Sequence, residues 1–432
     1  METNYETRIV NYALQTSGFY PLRAMQRWLI DTHFNKAKST MMNAGALVKV
    51  DASIDLERLA RAATDLLSAY DIFHVRLIFH PGTDDLCQRF DGEVEPVTVE
   101  KISDEEFEVR KKNLMEPYLL INRPLYRFYI FETPTAKYMY ADFYHAIIDG
   151  TALMILFWRE LEMRYRGKKI TRQPLKYADF ILDELKVSPE ELAEGNRFWR
   201  ETLRGFNETN HLPPPDIENP EAWRQNNLIF DIENITHKYF AKVDCAENVF
   251  FLAASMLAIA KNADVKKSIM SWIHNGRNTA QERRLMGIMI EQFPISWDFT
   301  EDLSVEEFLS GLSAKIQTGM RYRRSLGTVY DEGLEDDCAT FIFQKRALGA
   351  LNEMIFIGKP AEMIDLPLNE ISAVENSLDI ELNLDEDKYF IELDYDASRY
   401  SETAMEKFAA IFNEIVLALQ DESRMISTIL EG

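Results

Sequence analysis

The residues best suited to chemistry are a histidine and an aspartate at a predicted corner between a strand and a helix. The segment from Tyr144 to Gly150 reads YHAIIDG, which places His145 four residues before Asp149. Histidine titrates near neutral pH, so it can accept a proton from a nucleophile and return it. Asp149 can stabilise this turn between strand and helix by binding a charged or polar partner. Gly150 permits a backbone conformation or a close approach that a Cβ atom would forbid.

The elements that must position this motif are predicted from hydrophobic periodicity. Residues 138–143 predict a strand that leads into the motif, and residues 151–166 predict a helix that leads out of it. The free N–H groups at the start of that helix favour negative charge that develops nearby. Residues 72–79 predict another strand, in which His74 and Arg76 share a face because side chains alternate along a strand.

Composition excludes several classes of protein. The chain has 432 residues, and 46% of them are hydrophobic, which indicates a globular protein with two domains or lobes. A formal charge of −23 argues against nucleic acid as the main partner. The three cysteines are widely spaced and form neither a disulfide framework nor a zinc-binding pattern, which is typical of a reducing cytosol. The N-terminus is not a signal peptide, and no apolar run could span a bilayer. We therefore expect a cytoplasmic protein without a metal site.

Both halves of the chain alternate helix and strand. Residues 177–180 are predicted to begin a polar connection, and residues 188–205 predict a long helix. Residues 211–220, with four prolines, predict a loop or a crossing between lobes. The second half then predicts strands and helices of similar length, and it ends in a hairpin and an amphipathic helix over 401–419. Two α/β halves of similar size predict a pseudo-dimer.

The order of motifs resembles the condensation domain of nonribosomal peptide synthetases and the wider chloramphenicol-acetyltransferase-like acyltransferase superfamily. Each motif is weak alone, but the ordered set is specific and covers nearly the whole chain. The matching segments are PLRAMQRW (21–28), YDIFHVR (70–76), YHAIIDG (144–150), YADF (177–180), FWRE (198–201), 276–277 and 287–294.

The chain also departs from the family pattern. Tyr144 stands where the family has the first histidine of its core motif, a position usually taken as structural. His74 stands at the family's arginine that pairs with the core aspartate, so we expect His74 or Arg76 to bind a buried Asp149. Glu291 lies where the family has a neutral residue. The motifs of plant-type CoA acyltransferases and of cyclisation domains are absent from the sequence.

The resemblance implies an α/β fold of two lobes in a V, with a central tunnel between them. The expected N-terminal lobe covers residues 1–182 and carries the histidine motif, and the expected C-terminal lobe covers residues 183–432. Three residues of the segments that match the family's latch region are candidates for the tunnel wall. They are Arg277, Gly287 and Glu291.

The resemblance also implies acyl transfer from a phosphopantetheine thioester, on a carrier protein, to a small-molecule amine or alcohol. His145 would act as a general base or as a positioner, Asp149 would hold the corner, and the Gly150 N–H would face the oxyanion. An orienting partner is expected on the second ring nitrogen of His145. No permanently bound cofactor is expected.

Several alternatives stay open at this point. The donor could be acyl-CoA, the fold could be a non-catalytic module that binds carrier proteins, or the histidine could serve an epimerisation. The chain is too short to hold an adenylation or carrier domain beside the two lobes. We therefore expect a free-standing, monomeric enzyme that receives activated substrates from other proteins.

Overall fold

The computed structural model describes residues 18–168, 174–204, 211–217, 223–326, 338–344, 354–366 and 377–432. These residues divide into two units. The first contains the described parts of residues 1–186, 275–290 and 348–373, and the second those of 187–274, 291–347 and 374–432. The predicted lobes, residues 1–182 and 183–432, differ from these units in two segments. Residues 275–290 and 348–373 pack with the first unit, whereas the prediction assigned them to the second lobe. Gly205 and residues 218–220 of the predicted crossing lie outside the described residues.

The first unit is built on a mixed sheet that carries the histidine motif at the end of a central strand. The strands are β1 (Asn43–Val50), β2 (Arg76–Phe79), β3 (Leu86–Arg89), β4 (Val99–Lys101), β5 (Tyr126–Glu132), β6 (Lys137–Tyr144), β11 (Met354–Phe356) and β12 (Lys359–Ile364). Among the described residues, six of these strands follow the order β11-β12-β1-β6-β5-β4, and β2 pairs with β3 separately.

The helices of the first unit pack against the sheet, and most of them begin at a polar cap or at an extended residue. The helix α2 (Leu56–Ala69) begins at Asp55, whose side chain accepts the Arg58 N–H, and its apolar side is buried. The other helices are α1 (Ala24–Asn35), α3 (Asp104–Lys111), α4 (Trp158–Tyr165) and α5 (Tyr177–Glu184). One apolar cluster joins α1, α2, the strands and the segment 285–289 into a single core.

The second unit has a sheet of its own. Its strands are β7 (Gln225–Asp231), β8 (Lys267–His274), β9 (Glu291–Asp298), β10 (Thr340–Gln344), β13 (Leu378–Asp385) and β14 (Lys388–Asp396). Among the described residues they follow the order β7-β14-β13-β10-β8-β9, with parallel pairing of β10 to β13 and to β8. The helices are α6 (Pro189–Leu203), α7 (Glu247–Ala263), α8 (Val305–Arg321), α9 (Glu402–Ala418) and α10 (Ile426–Glu431).

Three elements near the motif differ from the sequence-based prediction. The predicted strand over 72–79 is a 3₁₀ turn (Asp71–His74) followed by the short β2. The predicted helix over 151–166 contains a π-helical segment (Ala152–Phe157) before α4. The segment that starts at Tyr177 is the helix α5, where the sequence predicted a polar connection. Across the described residues, no helix has both the length and the apolar character needed to cross a bilayer.

Candidate active site

His145 lies directly after β6, in a 3₁₀ turn (His145–Ile147) that neighbouring backbone groups hold in place. The Tyr144 N–H donates to the carbonyl of Leu125 at 2.9 Å, and the His145 N–H donates to the carbonyl of Met42 at 2.8 Å. The backbone at the end of β6 is therefore hydrogen-bonded on both edges of the strand. The histidine is presented at the end of a buried strand, as the sequence predicted.

The imidazole ring of His145 has no orienting hydrogen bond from the part of the chain that the structure describes. The residue is half-buried, and its Nδ1 atom is buried without a hydrogen-bond partner. The sequence-based expectation of a partner on the second nitrogen is therefore not met. Most buried polar atoms in proteins have a hydrogen-bond partner. Among the described residues, hydrogen bonds therefore position His145 through its backbone and not through its ring.

Asp149 is buried, with 1% of its surface exposed, and both carboxylate oxygens are bonded. Oδ1 accepts the N–H of Ala152 at 2.8 Å. Oδ2 accepts the N–H of Met289 at 2.6 Å and the Nη1–H of Arg277 at 2.7 Å. These three hydrogen bonds tie the turn that carries His145 to Ala152, Met289 and Arg277.

Arg277 is the cationic partner of Asp149, which corrects the expectation that His74 or Arg76 would bind it. The side chains of Arg277 and Asp149 are 1% and 0% exposed, so the ion pair is buried. The second terminal nitrogen of Arg277 donates to the carbonyl of Gly287 at 3.1 Å. Arg277, predicted for a tunnel wall, is instead a structural anchor of the motif.

His74 and Arg76 make other contacts, because β2 begins only at Arg76 and the preceding turn redirects His74. The ring nitrogens of His74 lie 2.7 Å from the carbonyl of Gly92 and 3.1 Å from that of Ser68. Arg76 donates to the carbonyls of Val75 and Glu93. Both side chains stabilise loops of the first unit and neither bonds to Asp149.

The segment 275–290 is bonded to the first unit at several backbone positions. The carbonyl of Ile288 accepts hydrogen bonds from Arg23 Nη1 at 3.0 Å and from the Tyr177 hydroxyl at 2.7 Å. Burial raises the pKa of Tyr177, so the hydroxyl stays a donor. A Cβ atom at Gly287, where φ is +148°, would overlap the Tyr177 ring. Gly287 is therefore required by close packing.

The remaining predicted site residues lie in three different environments. The Tyr144 side chain is buried and its hydroxyl donates to the carbonyl of Leu29 at 3.1 Å, which agrees with a structural role. Gly150 does not have a positive φ and lies in the first helical turn after the motif, where backbone N–H groups lack intrahelical partners. Glu291 is buried in the second unit, opposite His274 in the register of β8 and β9.

The sequence did not identify the two backbone N–H groups that bind Asp149, those of Ala152 and Met289. Backbone donors carry no signature in residue type, so no pattern could have found them. It also did not single out Gln26, which is buried and bonds to the carbonyl of Ala146. A glutamine at a buried position of an otherwise apolar helix face was the available signal.

Comparison with protein-family models decides the family. The model described as the condensation domain matches residues 16–427. The chain belongs to the condensation-domain family. Tyrocidine synthase 2 of Brevibacillus parabrevis is 22% identical over 443 residues, which cover 95% of this chain and 12% of the synthase. The chain spans 5% of the length of tyrocidine synthase 3 and 12% of that of tyrocidine synthase 2.

Solved condensation-domain structures share the fold. The starter condensation domain of the rhizomide synthetase RzmA superposes with a TM-score of 0.73 at 14% identity, covering 95% of this chain and 99% of that one. The X-domain in a complex with OxyB, from teicoplanin biosynthesis, gives the same TM-score and identity, with 95% of each chain covered. The predicted fold class, two chloramphenicol-acetyltransferase-like α/β lobes, is confirmed, as is the membership of a family found in nonribosomal peptide synthetases.

Proposed function

We propose that this condensation domain is an acyltransferase. It takes an acyl or aminoacyl group from a phosphopantetheine thioester on a carrier protein and transfers it to an amine or hydroxyl acceptor. The carbonyl carbon exchanges its C–S bond for a C–N or C–O bond, and the proton of the acceptor ends on the released thiol. The product is an amide or an ester.

The observation that carries the proposal is the motif itself. His145 follows a strand whose end is fixed by backbone hydrogen bonds, and Asp149 behind it is bonded three times. A group that accepts a proton must be held in position before it can work, and this corner meets that requirement. Nδ1 of His145 has no hydrogen-bond partner within the described ranges, so the proposal rests on the fixed turn and not on an orienting bond to the ring.

In this mechanism His145 accepts the proton of the attacking amine or hydroxyl and returns it to the leaving thiolate. Removing such a base usually costs about 10²- to 10⁴-fold in rate. The Gly150 N–H, in the first turn after the motif, stabilises the negative charge of the tetrahedral intermediate. Asp149 and Arg277 keep the corner rigid and do not touch substrate. Alignment of donor and acceptor supplies the rest of the acceleration.

The proposal is tested with the full chain and a panel of activated donors. One acyl group is offered as a carrier-protein thioester, as acyl-CoA and as a short pantetheine-like thioester, each with a set of amines and alcohols. Mass spectrometry of the intact carrier and of the small-molecule products follows the acyl group. We expect transfer that requires an acceptor and is lost in His145→Ala.

The other outcomes point to defined alternatives. Transfer from acyl-CoA but not from the carrier protein identifies a CoA-dependent acyltransferase. Binding of the acylated carrier without transfer to any acceptor contradicts the proposal and identifies a non-catalytic module.

A further inference from the structure

A pair of buried glutamines connects the start of α1 to the turn that carries His145. Gln26 is 1% exposed and Gln88 is 0% exposed, although glutamine is mostly found on protein surfaces. Their amide groups face each other, with Gln26 Nε2 3.2 Å from Gln88 Oε1 and Gln88 Nε2 3.0 Å from Gln26 Oε1. A reciprocal amide pair of this kind satisfies two polar side chains that burial would otherwise penalise.

The remaining hydrogen bonds of the pair go to backbone groups. Gln26 Oε1 accepts the N–H of Arg23 at 3.0 Å, and Gln26 Nε2 donates to the carbonyl of Ala146 at 3.0 Å. Gln88 Nε2 donates to the carbonyl of Pro21 at 2.7 Å. These partners fix the orientation of the Gln26 amide, because only its oxygen can accept from an N–H group and only its nitrogen can donate to a carbonyl.

Both glutamines are themselves held firmly. The backbone N–H and carbonyl of Gln88 are both bonded to Tyr20, each at 2.9 Å. Gln26 lies in the first turn of α1, next to the helix start at Arg23, and Met25 and Leu29 of the same helix are buried in the core. Because Gln26 lies on α1 and Gln88 on β3, the pair links the position of these two elements to that of Ala146 through a hydrogen bond.

Ala146 immediately follows His145, and this makes the contact important for the ring. The Gln26 side chain reaches the backbone of the turn 145–147 directly, through the Ala146 carbonyl. The ring has no hydrogen-bond partner on Nδ1 among the described residues, so hydrogen bonds to this backbone are what can change its position. Loss of the Gln26 contact would leave the Ala146 carbonyl without this donor and would let the peptide plane rotate.

We propose that the Gln26–Gln88 pair is a positioning device that aligns the imidazole of His145 through the Ala146 carbonyl. This inference rests on the proposed acyl transfer only for its effect on rate. The effect on the ring itself is independent of any substrate, because it depends on contacts within the first unit.

The test compares Gln26→Met with a matched control, Thr64→Val, in the full chain. Methionine keeps the length of the side chain and removes its hydrogen bonds. Thr64 Oγ1 accepts the Val97 N–H at 2.9 Å in the same unit and does not contact the turn. Two-dimensional NMR of ¹³C-labelled histidine rings, with His145 assigned by His145→Ala, reports the ring directly. We expect the His145 signal to shift or broaden in Gln26→Met and to stay unchanged in Thr64→Val.

A double variant separates positioning from stability. Replacing both glutamines, Gln26→Met with Gln88→Met, removes the unsatisfied amide that the single variant leaves, so the melting temperature should return towards that of wild type. The His145 signal should remain altered, because the Ala146 carbonyl still lacks its donor. An unaltered signal in both variants, or a signal that recovers together with the melting temperature, would overturn the proposal.

Kinetics give the second readout. We expect kcat in Gln26→Met to fall by about 10- to 100-fold with little change in KM, since a misplacement of about 1 Å can cost about 100-fold in rate. A change confined to KM would contradict positioning. If wild type transfers no acyl group, the proposed function fails, and the NMR comparison still decides whether the pair positions the ring.

Discussion

At the scale of single residues, the site depends on a buried ion pair between a carboxylate and a guanidinium. Asp149 and Arg277 are separated by 128 positions in sequence, yet they form an ion pair with 0% and 1% exposure. The sequence correctly predicted that Asp149 is buried, and the choice of His145 as the reactive residue stays a prediction. The sequence could not identify the cation, because any basic residue of the chain was a candidate and the nearer His74 shared a predicted face with Arg76. The partner is Arg277, which lies in the segment 275–290, and the position of that segment is defined only in the folded chain.

The ion pair predicts a large loss of stability when one partner is removed. Arg277→Met leaves a buried, uncompensated carboxylate, and such losses are roughly 3–5 kcal/mol in the free energy of unfolding. The matched control is Arg166→Met, which breaks the exposed pair with Glu162 and should cost about 0–1 kcal/mol. Urea unfolding of both variants measures the difference. Equal losses would mean that the Asp149–Arg277 pair is not buried in solution.

At the scale of elements, the segment 275–290 is held against the motif by close backbone approach. A Cβ atom at Gly276, where φ is +65°, would overlap the carbonyl oxygen of Met289. Met289 is the residue whose N–H binds Asp149. Periodicity predicted the strand that leads into the motif, over residues 138–143, and the structure has it at Lys137–Tyr144. Periodicity carries no information about how a segment whose only regular element is a short 3₁₀ turn (Glu282–Arg284) packs, so this contact could not be predicted.

Gly276 has a matched control in the same unit. Gly167 has φ +66°, almost the same conformation, but a Cβ atom there would meet only the guanidinium of Arg58, at 3.4 Å. Both alanine variants incur the cost of a left-handed backbone, about 1–2 kcal/mol. We expect Gly276→Ala to lose more than Gly167→Ala in melting temperature and also to reduce transfer. Equal shifts in melting temperature would show that the approach of Gly276 to Met289 is not tight.

The sheet of the second unit carries a second testable feature, a ladder of acidic pairs. Across β13 and β14, Asp379 is paired with Asp394 and Glu381 with Glu392. Burial first, and then the charge of Glu392, raise the pKa of Glu381 to about 7. Like charges directly opposite each other destabilise a sheet. The folded state therefore holds a proton that the unfolded chain releases nearer pH ~4.

The sign of the pH dependence follows from that difference. Between about pH 4 and pH 7 the folded state binds more protons, so the free energy of unfolding falls as pH rises through this window. Glu381→Gln should remove this contribution, up to about 3 kcal/mol between about pH 4 and pH 7, because one pKa unit corresponds to about 1.4 kcal/mol. Glu414→Gln, on an exposed position of α9, is the control. Identical pH profiles for wild type and Glu381→Gln in urea unfolding would refute the assignment.

At the scale of the whole molecule, the alternation of helix and strand in both halves was enough to predict two α/β lobes, and the order of motifs was enough to predict the family. Residue order could not show that the lobes are discontinuous. Arg277 and Gly287 lie in the second half of the sequence and belong to the first unit. The chain returns to complete the histidine motif after it has begun the second unit, and contacts of such long range leave no periodic signal.

The central claim is that His145 takes part in acyl transfer, and single-turnover kinetics test it most directly. Wild type, His145→Ala and the control His74→Gln are mixed with the same thioester donor and acceptor, and the rate of product formation is measured by rapid quench and mass spectrometry. His74 bonds to the carbonyls of Gly92 and Ser68 and not to the motif, so its variant should keep nearly the full rate. We predict that His145→Ala reduces the rate by about 10²- to 10⁴-fold. Equal rates for wild type and His145→Ala would remove this histidine from the mechanism.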